Sequence, residues 1–146
     1  MNAPNPSLIK KSAARLAAVQ CLYQSNFEDK TANQLIVERM GLEEDDSNFV
    51  PDAKLLRGIV TGTLEQKSAV EERLQTILGE RWQHYLMKPL MRAVLLAATY
   101  ELIYHPQLKP AIILNEYVGV ASEFFDETET GFVNGALQQI AKAIRD

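Results

Sequence analysis

Nine consecutive residues, Leu90 to Ala98, contain eight apolar side chains and one arginine, Arg92. No single stripe of a helix can hold such a run. A helix apolar on most sides is buried on most sides. The rest of the chain must therefore supply elements that surround this one. The run is too short to cross a bilayer, which takes roughly 18 apolar residues or more.

The flanking segments carry helical signals. After Pro4 and Pro6, Ser7 is placed to cap a helix reaching about Asn26. Ile9, Ser12, Ala13, Leu16, Val19, Gln20, Tyr23 and Phe27 share one face at helical spacing, and Gln20 needs a partner if that face is buried. Thr31 and Gln34 have capping-box spacing before a second helix that stops at Gly41. Glu43 to Pro51 is acidic and aperiodic, an exposed loop. Asp52 caps a long third helix running to Leu78, with Gly79 as its stop and a small-residue notch at Gly58 and Gly62. The pattern breaks from Trp82 to Pro89, leaving room for one short turn. Leu90 to Tyr104 and Ala111 to Phe125 follow as helices, and Asp126 with Glu129 boxes the last one, about Thr128 to Ile144. The expectation is an all-α chain of two packed helical bundles and about six to seven helices. It reads as one domain over 1–146, with a first lobe over about 1–80 and a second over about 81–146.

Charge is unevenly spread. The formal net charge is −4, yet the first 27 residues hold Lys10, Lys11 and Arg15 and no acid. With Leu16 at zero and about 100° per residue, these cations fall near +120°, −140° and −100°, off the apolar stripe. Ala14 and Ala18 lie between them and leave the backbone shallow. A phosphate chain could meet cations on both edges of such a strip. The plain alternative is three solvated charges.

Chemistry of other kinds has no clear carrier. His84 and His105 are twenty-one residues apart, poor spacing for a metal. The acid run Glu43 to Asp46 lacks the glycine and closing glutamate of a calcium loop. No nucleophile elbow, P-loop or dinucleotide glycine pattern occurs. The expectation is a protein with no catalytic residue, metal or cofactor. One cysteine, Cys21, forms no internal disulfide and points to a reducing compartment, hence the cytoplasm. No secretory signal is legible.

Several stretches carry a family resemblance: Arg15-Leu16-Ala17-Ala18-Val19-Gln20-Cys21-Leu22-Tyr23-Gln24, Leu55-Leu56-Arg57-Gly58-Ile59-Val60, Tyr100-Glu101-Leu102, Ile113-Leu114-Asn115-Glu116-Tyr117-Val118 and Phe132-Val133-Asn134-Gly135. In this order and spacing the chain resembles the NusB family of bacterial transcription antitermination factors. The resemblance implies pairing with NusE, a small-subunit ribosomal protein, and binding of boxA RNA. It also implies work within an RNA polymerase antitermination complex that reads through terminators, notably on ribosomal RNA operons. It places RNA contacts on Lys10, Lys11 and Arg15, although this segment is leaner in arginine than in the more basic relatives. Gly131 also stands where relatives carry a basic residue. Phe124 is placed either to stack a base or to close the core. The implied partner surface includes Tyr23, Leu86, Pro89 and Met91, of which Tyr23 and Met91 also suit a core. Monomer and homodimer both stay open. Two other readings remain: a helical module for protein contacts alone, and the RNA-binding domain of a ribosomal RNA cytosine methyltransferase. The latter would need a methyl-donor domain that these 146 residues do not contain.

Overall fold

The computed structural model describes residues 5–42, 50–83 and 87–145. Among the described residues there are eight helices and no strand: α1 (Pro6–Gln24), α2 (Ala32–Gly41), α3 (Ala53–Glu65), α4 (Lys67–Leu78), α5 (Glu80–Gln83), α6 (Pro89–Tyr104), α7 (Pro110–Phe124) and α8 (Glu127–Arg145). The apolar run became α6, which sits at the centre of the molecule. Helices α1, α3, α4, α7 and α8 all pack on it. Residues 93 to 99 of α6 are buried without interruption. Each fully buried Leu or Val there contributes roughly 1.5–3 kcal/mol.

Local signals explain most boundaries. Thr31 and Gln34 form the reciprocal box, with backbone N–H to side-chain distances of 2.8 and 3.1 Å. Asp52 accepts the Leu55 N–H at 3.0 Å. Asp126 accepts the Glu129 N–H at 2.7 Å. Gly79 stops α4 at φ 61, a left-handed value that a side chain would resist. At the start of α1 the cap is Asn5, whose Oδ1 accepts the Ser7 N–H at 2.9 Å. Pro6 at the first helical position moves the start ahead of the expected Ser7.

One expectation about helix extent is corrected. The long third helix is two helices, because Gln66 leaves helical geometry at φ −101 and ψ 15. Beyond that break α4 packs on α5, α6 and α8, and among the described residues it does not reach α1 or α2. Helices α3 and α4 thus share α6 and otherwise have different partners on the two sides of Gln66. The segment between Gly79 and Pro89 holds the short helix α5, whose Trp82 is buried under the Arg92 guanidinium, 4.5 Å from the ring. The break at Gln66 and helix α5 raise the count above six or seven. The acidic loop expected over 43–51 lies largely outside the described residues.

The glycine notch is filled by a side chain. A Cβ on Gly62 would run into the Tyr100 ring of α6, whereas one on Gly58 would meet nothing within 4 Å. The two sites should therefore respond oppositely to alanine. Gly58→Ala should raise stability by about 0.5–1 kcal/mol, since glycine is the poorer helix former. Gly62→Ala should lower it by about 1 kcal/mol net, the crowding outweighing the same gain. Urea midpoints that shift in the same direction for both would contradict the close approach of Tyr100.

Candidate nucleic-acid interface

Helix α1 presents to the core nearly the opposite face from the one its bulky residues suggest. The buried residues are Ala14, Arg15, Ala17, Ala18, Val19, Cys21 and Leu22. Of the expected stripe Val19 is buried, Ser12, Tyr23 and Phe27 are exposed, and Ile9, Ala13, Leu16 and Gln20 are half-buried. Small residues let α1 lie close against α3, α6 and α7 at once, and close packing favours that over a single bulky seam. Gln20 finds its partner in Arg39, whose Nε donates to Oε1 at 2.7 Å. Cys21 is buried, and its S–H points at the Leu35 carbonyl at 3.6 Å. Burial pushes that thiol up to about 11, so it is inert.

Arg15 therefore moves from candidate contact to interior, at 3% exposure. Its guanidinium grips Glu101 of α6 with two parallel bonds, Nε to Oε2 at 2.7 Å and Nη2 to Oε1 at 3.0 Å. Nη1 donates to Glu116 of α7 at 2.8 Å. The Tyr117 hydroxyl donates to Glu101 Oε2 at 2.6 Å, and His105 Nδ1 lies 2.9 Å from Oε1. An ionised carboxylate only accepts, so His105 carries a proton on Nδ1. Burial pushes the Glu101 carboxyl up, but donors from His105, Arg15 and Tyr117 outweigh it and hold the group at about 2. Burial alone would lower the Arg15 pKa; the pairing with Glu101 raises it instead. Burial, then the Glu101 charge, drives the Tyr117 phenol well up. Three of the five N–H donors are engaged, and at 3% exposure the guanidinium is sealed from a phosphate in solvent. The correction to Arg15 follows from the packing of α1: its off-stripe angle lies on the inward side. Ala14 and Ala18, expected to form a shallow bed for phosphate, are at 0% exposure beneath neighbouring helices.

Lys10 and Lys11 behave differently. From Asn5 to Ser12 every residue but Ile9 is exposed, so the first two turns of α1 overhang the core. The two lysines stand on that overhang. Ser12 donates to Glu116 at 2.8 Å, next to the Arg15 bond, and so anchors the overhang's base. Phe124 is 37% exposed at the far end of α7, about 12 Å along the helix from Glu116 by helical rise. Its ring meets Phe125 edge-on at 6.5 Å.

The four partner-surface candidates fall in separate places. Tyr23 is 38% exposed and meets the more exposed Phe27 edge-on, with ring centroids 5.0 Å apart. Pro89 is exposed at the first position of α6. Met91 is buried and lines a cavity of about 480 Å³ with Met87 and Phe132, below the Lys88–Glu129 ion pair at 3.0 Å. Leu86 lies outside the described residues, as does His84. Sequence reasoning missed Glu101 as the hub of the interior network. Its signal was legible: it is an acid within an almost wholly apolar helix, and such a group must find a partner.

No group of three or more His, Cys, Asp or Glu among the described residues could hold a metal ion. No helix among them is long and apolar enough to cross a membrane. Comparison with known proteins gives consistent matches. The model for the NusB family matches residues 12–142. The transcription antitermination protein NusB of Sphingopyxis alaskensis is 38% identical over 140 residues, covering 92% of this chain and 94% of that one. The namesake from Hyphomonas neptunium is 36% identical over 141 residues, covering 93% and 92%. Among solved structures, T. maritima NusB superposes with a TM-score of 0.76 at 26% identity, covering 97% of this chain and 93% of that one. A crystal structure of antitermination factors NusB and NusE in complex with dsRNA superposes with a TM-score of 0.77 at 19% identity, covering 92% and 97%.

Proposed function

The chain belongs to the NusB family, and from that premise we propose that it is an antitermination factor that binds boxA RNA together with NusE. In this reading it helps RNA polymerase pass terminators, notably on ribosomal RNA operons, and performs no catalytic step. The observation that carries the RNA contact is the overhang of α1. It bears two exposed lysines and no acid. Lys10 and Lys11 hold phosphates there by charge, and Arg15 keeps the helix that presents them in place. Phe124 remains available to stack an unpaired base. NusE takes the apolar surface left by Tyr23 and Phe27, with Pro89 and the Met91 cavity as its second contact.

With NusE present, Lys10→Glu/Lys11→Glu should weaken binding of a labelled boxA oligonucleotide about tenfold or more. The slope of log K against log salt should become shallower by about 1.4, for two lost phosphate contacts on a single strand. Equal affinity, with helicity and NusE binding unchanged, would remove the RNA face from α1. One observation favours a protein-only module: with Arg15 inside, the strip holds two exposed cations rather than three. That reading gains if neither wild type nor variant binds the oligonucleotide.

A further inference from the structure

The basic overhang does not stand alone. The Asp52 N–H donates to the Lys10 carbonyl at 2.9 Å, which sets the start of α3 against α1 at the lysine strip. Lys54 follows two residues on, within about 8 Å of Asp52 along the chain. The outward face of α3 then reads Lys54, Arg57, Gly58 and Thr61, with no acid before Glu65. The Asp52 carboxylate is turned to the Leu55 N–H as a helix cap. Arg57 spends one of its donors on Asn33 Oδ1 at 3.0 Å, which points the guanidinium across the surface.

Beyond Arg57 lies an open hollow of about 610 Å³. Its floor is α3 at Gly58, Thr61 and Gly62, and its walls include Asn33 and Tyr100. Tyr100 stacks on Tyr104 with centroids 4.9 Å apart, and Tyr104 is 40% exposed. Cations that lead to a hollow bordered by an aromatic ring, Tyr100, and an amide, Asn33, are among the parts with which proteins hold single-stranded nucleic acid. A lone anion would not need the hollow, and an apolar helix would not need the cations.

We propose that RNA leaving the Lys10–Lys11 strip continues along the exposed face of α3, where Lys54 and Arg57 hold its phosphates and the hollow beside Tyr100 receives a base. This rests on the RNA reading of the overhang and extends it to a second helix. It would lengthen the bound segment by roughly 10 Å, the rise from Lys54 to Thr61. Glu65, at the far side of the hollow, repels phosphate and marks where the track ends.

The test compares two RNAs in the complex with NusE: a minimal boxA oligonucleotide, and the same one extended by several unpaired nucleotides at either end. On wild type, one extension should improve affinity about fivefold. Lys54→Glu/Arg57→Glu should abolish that gain and leave the minimal oligonucleotide within about twofold. Gly58→Leu should reduce the gain by filling the hollow; a Cβ there meets nothing within 4 Å, and unchanged helicity and NusE binding check that the variant folds. Extension without benefit on wild type would overturn the track. So would a gain that survives the double charge reversal, or a double variant that loses NusE binding and keeps the gain. Failure of the overhang itself reads out separately, as a minimal oligonucleotide indifferent to Lys10→Glu/Lys11→Glu.

Discussion

Arg15→Met should destabilise the protein by about 3–5 kcal/mol, because it leaves Glu101 charged or costly to protonate in a dry site. The carboxylate is at 0% exposure and loses two of its donor bonds when the fork goes, while Glu116 loses the one from Nη1 and keeps only the Ser12 hydroxyl. Methionine approximates the stem but supplies no proton. Arg15→Lys keeps the charge and loses the parallel pair, so it should fall between. Arg15→Met/Glu101→Leu should recover most of the loss, as buried pairs replaced by apolar residues of similar volume often do. The same network predicts an acid limb. Glu101 is held at about 2, below its ordinary 4.5, so the native state favours its ionised form. That contribution is complete above about pH 4.5 and disappears as pH falls towards 2. The double variant should lack this limb in urea titrations taken across that window. An Arg15→Met protein within about 1 kcal/mol of wild type would show that the network is not what holds α1. RNA affinity in the single variant should follow the folded fraction and nothing else, which separates it from the lysine variants.

Arg145→Ala should cost about 2–3 kcal/mol, although it changes the next-to-last residue. Its guanidinium donates to three main-chain carbonyls: Leu102 at 2.7 Å, Leu108 at 2.9 Å and His105 at 3.1 Å. Carbonyls at the end of a helix have no partner within it, and a cation there also meets the negative end of the helix dipole. Hydrogen bonds to a charged group contribute more than neutral ones, about 1.5–3 kcal/mol each at most. Arg145 is half-buried, so water repairs part of the loss. Arg145→Lys should rescue little, since one ammonium cannot span three carbonyls with a planar fork's geometry. Thermal unfolding of the three proteins checks this. Equal midpoints for wild type and Arg145→Ala would mean that the turn between α6 and α7 holds itself.

Much of the architecture was legible because its causes are local. Thr31 with Gln34, and Asp126 with Glu129, announce helix starts through short-range hydrogen bonds, and the structure contains them. The central helix followed from apolar residues on all its sides. Gln66 gave no such sign, since apolar residues continue at helical spacing on either side of it. The orientation of α1 failed for a different reason. Periodicity assumes one core-facing side, and a surrounded helix has several. Bulky Leu16, Tyr23 and Phe27 then mislead, while Ala14, Ala18 and Cys21 mark the tightest contacts. Arg15 went with them: an angle cannot tell a solvated arginine from one whose carboxylate lies 86 residues away.

That separation also bears on the chain's birth. Translation proceeds from the N-terminus, and early segments ordinarily settle first. Helix α1 cannot do so here, because Glu101, Glu116 and Tyr117 must emerge before Arg15 has its partners. Until those three residues have been made, a lone buried-type arginine waits in water and its helix has only α2 and α3 to rest on. Closure of so long a loop is also slow compared with local helix formation. The overhanging lysines thus reach their final setting only once α7 has been made, so a ribosome-bound fragment ending before Tyr117 should be unable to present them.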